Sequence, residues 1–359
     1  MAERTVIPFG PQHPVLPEPI HLDLVLEDET VVEAIPSIGF IHRGLERLAE
    51  TKDFSQMGYV AERICGICSC IHGQGYSQGV ETLLNLEVPQ RAQFLRLIWG
   101  EQSRIHSHLL WLGLAADAFG FEALFMHTWK LRERLLDWVE KTAGGRVIFG
   151  ANKVGGVRRD VPEDLLKAMV ADHKIIEAEF EILADTFLKD STVRSRLEGV
   201  GVLTKEQAQV LGAVGPMMRA SGIASDTRSL GYSAYDQLDW QILTEDGCDC
   251  MARVKIRVRE IRQSFDMIYQ AVAKIPSGPV DARPKGFPQG ETMARLEQPR
   301  GEVIYYLKGN GTKNLERFRV RTPTFANVPP LVAMLKGARL ADVPNIVLTI
   351  DPCISCTER

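Results

Sequence analysis

Two Cys-x-x-Cys pairs stand near opposite ends of this chain, Cys65-Gly66-Ile67-Cys68 and Cys353-Ile354-Ser355-Cys356, with Cys68 and Cys353 285 positions apart (353 − 68). A two-residue spacer lets a turning backbone aim both sulfurs at one ion, so two such pairs make a four-sulfur site. Any fold that uses it must bring the two ends of the chain together. Soft thiolates select zinc, iron–sulfur clusters, copper(I), or nickel and iron. The reading without redox chemistry is a zinc staple, but staples usually hold small modules whose pairs lie much closer in sequence, and 359 residues bury a sizeable core without one. The other cysteines fit less well. Cys70 crowds the first pair and Cys248-Asp249-Cys250 has the wrong spacing for a chelating pair, so all three are read as small apolar thiols.

Composition narrows the class. Hydrophobic residues at 45% and charged residues at 25% are values of a globular protein and exclude a disordered or collagenous chain. A formal charge of −4, without long like-charge blocks, argues against a nucleic-acid surface. The most apolar stretch, Leu109 to Phe121, is too short to cross a bilayer and contains Asp117. No apolar leader follows Met1, and an odd cysteine count without one points to a reducing compartment.

The expected fold class is α+β, mainly helical with small β elements. His21–Leu26 and Thr30–Ala34 read as two strands of a small sheet. Phe94, Ile98, Ile105, Leu109 and Leu112 draw one apolar stripe along a long helix, and similar patterns fill 162–187 and 252–273. A Pro- and Gly-rich loop is expected over 276–290, then a hairpin in which Val303–Leu307 and Phe318–Val320 flank Gly309-Asn310-Gly311. The whole chain, 1–359, reads as one unit: a β region over 1–50, a helical core with the first cysteine pair over 51–275, and the hairpin with the second pair over 276–359.

Arg63-Ile-Cys-Gly-Ile-Cys68 together with Asp351-Pro-Cys-Ile-Ser-Cys356 resembles the paired signature of the [NiFe]-hydrogenase large subunit. Gly10-Pro-Gln-His-Pro14, Ile41-His-Arg-Gly44, Gly155-Gly-Val-Arg-Arg-Asp160, Arg219-Ala-Ser-Gly222 and Tyr235-Asp-Gln237 resemble both the group 4, energy-converting hydrogenases and the homologous 49 kDa-type subunit of respiratory complex I. The ending Cys356-Thr-Glu-Arg359 is similar to the Ech type. Complex I relatives have lost the metal-binding cysteines and bind quinone, whereas all four stand here.

The resemblance implies a nickel–iron centre with carbon monoxide and cyanide on the iron, Cys65 and Cys353 on nickel alone, and Cys68 and Cys356 bridging. It makes Glu18 the acceptor of a proton from Cys353. It places Arg300, in Pro299-Arg300-Gly301, over the metals with Asp351 positioning it, and it puts His72 against a bridging thiolate. Glu46 corresponds to a ligand of an additional magnesium or iron ion, although the histidine that completes that site in relatives is Arg359 here. Where many relatives carry an aspartate between two histidines, this chain has His106-Ser107-His108. Too few cysteines remain for a further cluster, so electrons are expected to pass to a small subunit with a [4Fe–4S] cluster. Further iron–sulfur and integral membrane subunits and ferredoxin complete the implied partners, with this chain peripheral on the cytoplasmic face. The activity implied is reversible hydrogen oxidation coupled to ion translocation. A complex I-like quinone-site subunit and a zinc-stapled scaffold are the competing readings.

Overall fold

The computed structural model describes residues 4–14, 16 and 18–359. Strands β1 (Arg4–Phe9), β2 (His21–Glu27) and β3 (Thr30–Ser37) form an antiparallel sheet in that order. Leu22, Leu24 and Leu26 alternate into the core while the residues between them stay half-buried, the period-two pattern that sets the register. Short helices α1 (Leu45–Ala49) and α2 (Phe54–Glu62) lead to α3 (Ser69–Leu83), α4 (Gln90–Ala118) and α5 (Glu122–Ala143). Two-residue strands β4 (Asn152–Lys153) and β5 (Gly156–Val157) precede α6 (Glu163–Lys189), α7 (Ser191–Leu197), α8 (Lys205–Val210) and α9 (Pro216–Arg219). Helix α10 (Cys250–Lys274) follows, then the sheet of β6 (Gln289–Gln298), β7 (Gly301–Asn310) and β8 (Leu315–Arg321), and finally α11 (Pro323–Leu335), α12 (Val343–Thr349) and α13 (Ile354–Thr357).

The expected α+β class holds, and the long helices form for the periodic reason. Along α6, Leu166, Met169, His173, Ile176, Phe180, Leu183 and Phe187 step by three and four and are the buried face. Helix α4 is buried on nearly all sides, packed between α5 and α10, which is why it carries buried polar groups as well as an apolar stripe. Helix α10 starts at Asp249, whose carboxylate accepts the Ala252 N–H and caps the first turn. Among the described residues no helix is long and apolar enough to cross a membrane.

Three local expectations change. The N-terminal sheet has an additional strand, β1, and the last sheet has an additional strand, β6, where the loop expected over 276–290 ends. Strand β6 shows no clear alternation in sequence because it is an edge strand, exposed over its first half and buried only near its end. The hairpin turn is also longer than an Asn-Gly pair makes it: β7 continues through Asn310, only Gly311 takes a positive φ of 77°, and Asn310 Oδ1 accepts the Thr312 N–H. The tight turn lies instead between β6 and β7, where Gln298 pairs with Gly301 and leaves Pro299-Arg300 as the two loop residues.

Helix α3 carries Gly73, Gly75 and Gly79 in its interior. Each costs about 1 kcal/mol of helix propensity relative to alanine, and each is required by a neighbour. A Cβ would fall 2.6 Å from Glu62 Cγ at Gly73, 2.2 Å from Tyr305 Cε2 at Gly75 and 2.5 Å from Leu307 Cδ1 at Gly79. The glycines thus let α2 and β7 press against α3, and the cluster of buried side chains enclosed there includes Cys65, Cys68, Cys353 and Cys356.

Candidate metal centre

The two cysteine pairs meet in the interior. Cys65 Sγ lies 3.2 Å from Cys353 Sγ and Cys68 Sγ lies 3.3 Å from Cys356 Sγ, all four buried and none in a disulfide. The sulfurs of Cys65, Cys68 and Cys356 lie within 4.8 Å of one another. The first pair sits in the turn between α2 and α3, where the Ile67 N–H points at Cys65 Sγ at 3.3 Å. The second sits at the start of α13, where the Cys353 N–H is bound by Thr324 Oγ1 at 3.1 Å.

Left to themselves, the four groups cannot all ionise. Burial pushes the Cys68 thiol up, but hydrogen bonds from Cys353, Cys356 and Cys65 outweigh it and hold Cys68 well below the usual thiol range. Cys356 is pushed well above that range by burial and its sulfur neighbours, and Cys353 likewise rises, the contacts with Cys65 and Cys68 outweighing the lowering contact with Cys356. With two of the thiols raised, a full set of thiolates needs cationic charge at its centre. The donor set therefore fits soft transition metals.

Arg300 projects from the β6–β7 turn. Its Nε donates to the Asp351 carbonyl at 2.9 Å, one terminal nitrogen to Asp351 Oδ1 at 2.8 Å and the other to Ser107 Oγ at 3.2 Å, all buried. Burial alone would lower the guanidinium, but Asp351 and the sulfurs of Cys353, Cys68 and Cys65 hold it firmly protonated. Pro299 is the other residue of that turn. His72 Nε2 lies 3.2 Å from Cys356 Sγ.

Glu18 reaches the second pair from the N-terminal segment. Its carboxylate accepts the N–H groups of Ile354 and Ser355 and the Ser355 hydroxyl, with Oε1 3.9 Å from Cys353 Sγ. Its outer side lines an open cleft of about 380 Å³ with Pro11, Gln12 and His13. Glu46 lies elsewhere. It accepts from Arg359 Nε at 2.9 Å, Arg319 at 3.0 Å and the Val320 N–H at 2.9 Å.

Of the two histidines flanking Ser107, His108 is bound to Glu260 at 2.8 Å, whereas His106 faces the Ile67 backbone, and burial pushes His106 down to about 3, keeping it neutral. Behind the site lies a buried polar network that sequence reading missed. Arg219 bridges Glu260 and Glu297, Arg228 bridges Asp226 and Glu101, and Tyr235 and Ser264 donate to Glu101. Only Arg219 and Tyr235 had been singled out in the sequence. The network draws on four separate stretches of chain, around 101, 219–235, 260–264 and 297, so no local spacing announces it. Cys70 and Cys250 are buried thiols as expected, and Cys248 is half-buried.

Residues 118–287 and 283–359 match the family model of the respiratory-chain NADH dehydrogenase 49 Kd subunit, and residues 43–115 match that of nickel-dependent hydrogenase. The carbon monoxide-induced hydrogenase of Rhodospirillum rubrum is 37% identical over 98% of this chain and 99% of its own length. The membrane-bound hydrogenase subunit alpha of Pyrococcus furiosus is 36% identical over 98% of this chain and 87% of its own. A solved chain from the membrane-bound sulfane sulfur reductase, an archaeal respiratory membrane complex, superposes with a TM-score of 0.93 at 32% identity, covering 99% of this chain and 98% of the other. The match to the 49 Kd family model over about two thirds of the chain and the relatives aligned along nearly all of it lead to one conclusion: the chain belongs to the family that unites the large subunits of membrane-bound hydrogenases with the 49 kDa-type subunits of respiratory NADH dehydrogenases.

Proposed function

We propose that this chain is the catalytic subunit of a membrane-associated, energy-converting [NiFe]-hydrogenase that interconverts H2 with two protons and two electrons. The observation that carries the reading is the convergence of four buried cysteine sulfurs from the two ends of the chain. Cys65 and Cys353 would hold nickel, and Cys68 and Cys356 would be shared with an iron carrying carbon monoxide and cyanide. Once bound, such a centre supplies a Lewis acid that polarises H2 beside a thiolate base.

The chain's own groups do the rest. Cys353 accepts a proton at Sγ, and Glu18, 3.9 Å away, takes it on toward the open cleft. The short backbone and hydroxyl contacts that fix the Glu18 carboxylate keep it within reach of that sulfur. Arg300, held by Asp351 and Ser107, presents a permanent positive charge against the cluster and excludes water from that side. Electrons leave through a small subunit with a [4Fe–4S] cluster and further iron–sulfur proteins to ferredoxin. Integral membrane subunits couple the transfer to ion translocation, with this chain at the cytoplasmic face.

Elemental analysis and infrared spectroscopy of the purified complex test the reading. Nickel and iron near equal amounts, with carbon monoxide and cyanide bands, are expected; zinc alone would make the site a staple, and no metal would favour a quinone-site subunit. The likeness to the sulfane sulfur reductase favours a second reading, in which the same centre reduces sulfur–sulfur bonds. Hydrogen evolution and polysulfide reduction, assayed side by side with reduced ferredoxin, separate the two.

A further inference from the structure

His72 is engaged at both ring nitrogens inside the core. Nε2 faces Cys356 Sγ at 3.2 Å and Gln298 Nε2 at 3.2 Å, while Nδ1 lies 2.6 Å from the Tyr305 hydroxyl. His72 and Tyr305 are both fully buried. A neutral imidazole has one N–H, so whatever occupies one nitrogen decides what the other can offer. The Tyr305 hydroxyl carries a proton to donate, and burial pushes it well above the usual tyrosine range. As a donor it makes Nδ1 an acceptor and leaves the ring hydrogen on Nε2, aimed at the sulfur.

We propose that Tyr305 is a positioning residue that fixes His72 as its Nε2–H tautomer, so that Cys356 always receives a hydrogen bond. Gln298 fits the same assignment. Among the described residues its Oε1 is buried without a hydrogen-bond partner, and with the amide turned so that this oxygen faces the ring it accepts from the same Nε2–H. The Tyr305 ring crosses to His72 only because Gly75 has no Cβ to block it. A sulfur that accepts a hydrogen bond donates less electron density to a metal, so Tyr305 tunes the centre through two intervening bonds. What the thiolate tunes rests on the nickel–iron reading; the tautomer does not.

The test uses the intact complex labelled with ¹⁵N-histidine, the His72 signals being identified by their loss in His72→Gln. Solid-state NMR is expected to show a protonated Nε2 and a hydrogen-bonded, unprotonated Nδ1 in the wild type, and loss of that state in Tyr305→Phe. Replacing Tyr305 by 3-fluorotyrosine, a stronger donor that keeps the ring, moves the Nδ1 signal the opposite way and decides the matter if the Phe variant does not assemble. In the metal-loaded complex the infrared bands of the iron ligands move to lower frequency in Tyr305→Phe and to higher frequency in the fluorotyrosine form, with turnover about tenfold lower in the former. A wild-type His72 protonated on Nδ1, or a tautomer signal indifferent to both replacements, overturns the proposal. A wild type lacking nickel and the infrared bands would sink the functional reading instead, leaving the NMR arm to judge Tyr305 alone.

Discussion

Gly75→Ala is predicted to destabilise the protein even though alanine is the better helix former. The added Cβ would stand 2.2 Å from Tyr305 Cε2, 2.7 Å from Cδ2 and 2.8 Å from Cζ. Carbon atoms rest about 3.5–4.0 Å apart, so the ring must retreat by roughly 1.3 Å or more. It has nowhere to go: Tyr305 lies on the middle strand of its sheet, with the Phe318 ring centroid at 6.4 Å and His72 edge-on at 6.0 Å. Overpacking of this kind costs about 1–3 kcal/mol, and the displaced hydroxyl loses a hydrogen bond worth about 1 kcal/mol. Helix propensity returns only about 1 kcal/mol, so the net loss is about 1–3 kcal/mol. Gly58, inside α2, is the control, because its Cβ would meet only Tyr76 Cδ1 at 3.9 Å, an ordinary contact. There the propensity gain of up to about 1 kcal/mol is unopposed. Thermal unfolding of the purified complex should show Gly75→Ala melting below and Gly58→Ala at or above the wild type. Equal melting of the two variants would refute the claim that the glycine exists to admit the tyrosine.

Glu18→Gln should abolish hydrogen/deuterium exchange by the complex while leaving nickel and iron content unchanged; undiminished exchange would reject the relay. Asp351→Ala leaves the buried Arg300 guanidinium without its counter-ion and should cost about 3–5 kcal/mol, measured as a lower unfolding midpoint, with Asp351→Asn milder; a neutral Ala variant would mean that the ion pair positions nothing. Glu62 is buried, and burial lifts it from 4.5 to about 7 against the pull of Arg158 and Arg63 and of the Asn152 and Gly150 backbone N–H groups. Between those two values the folded protein binds the extra proton, so stability should fall by about 3 kcal/mol as pH rises through the window, and level off outside it. Glu62→Gln should flatten that slope in unfolding measurements across pH, and matching slopes for both proteins would show that the carboxyl is hydrated.

What the sequence disclosed follows from the range of each signal. The stripe along α4 and the steps of α6 are local periodicities, and the helices run within a few residues of where those periods place them. The meeting of Cys65 and Cys68 with Cys353 and Cys356 was legible because the metal-binding spacing is local twice over, and only their convergence needed the fold. Strand β6 was lost because an edge strand with one buried end has little alternation to read. Arg300 could be singled out, but not the turn that aims it, since Pro299-Arg300 becomes a hairpin tip only once β6 is known to exist. Tyr305 looked like one more apolar position of a strand; nothing near it in the chain signals His72, 233 positions away. The Glu101–Arg228–Asp226 and Glu260–Arg219–Glu297 bridges were invisible for the same reason.

The pairing of Cys65 with Cys353 spans 288 positions, which makes metal affinity a global quantity. Neither half of the sulfur clasp can be preformed locally, so the entropy of closing that span is met by the packing of everything between. Loosening the protein anywhere along that span should therefore weaken its hold on the ion, and a bound ion should in turn guard distant helices against opening. Metal retention would then report on the integrity of the entire polypeptide, including helices that never approach a sulfur atom.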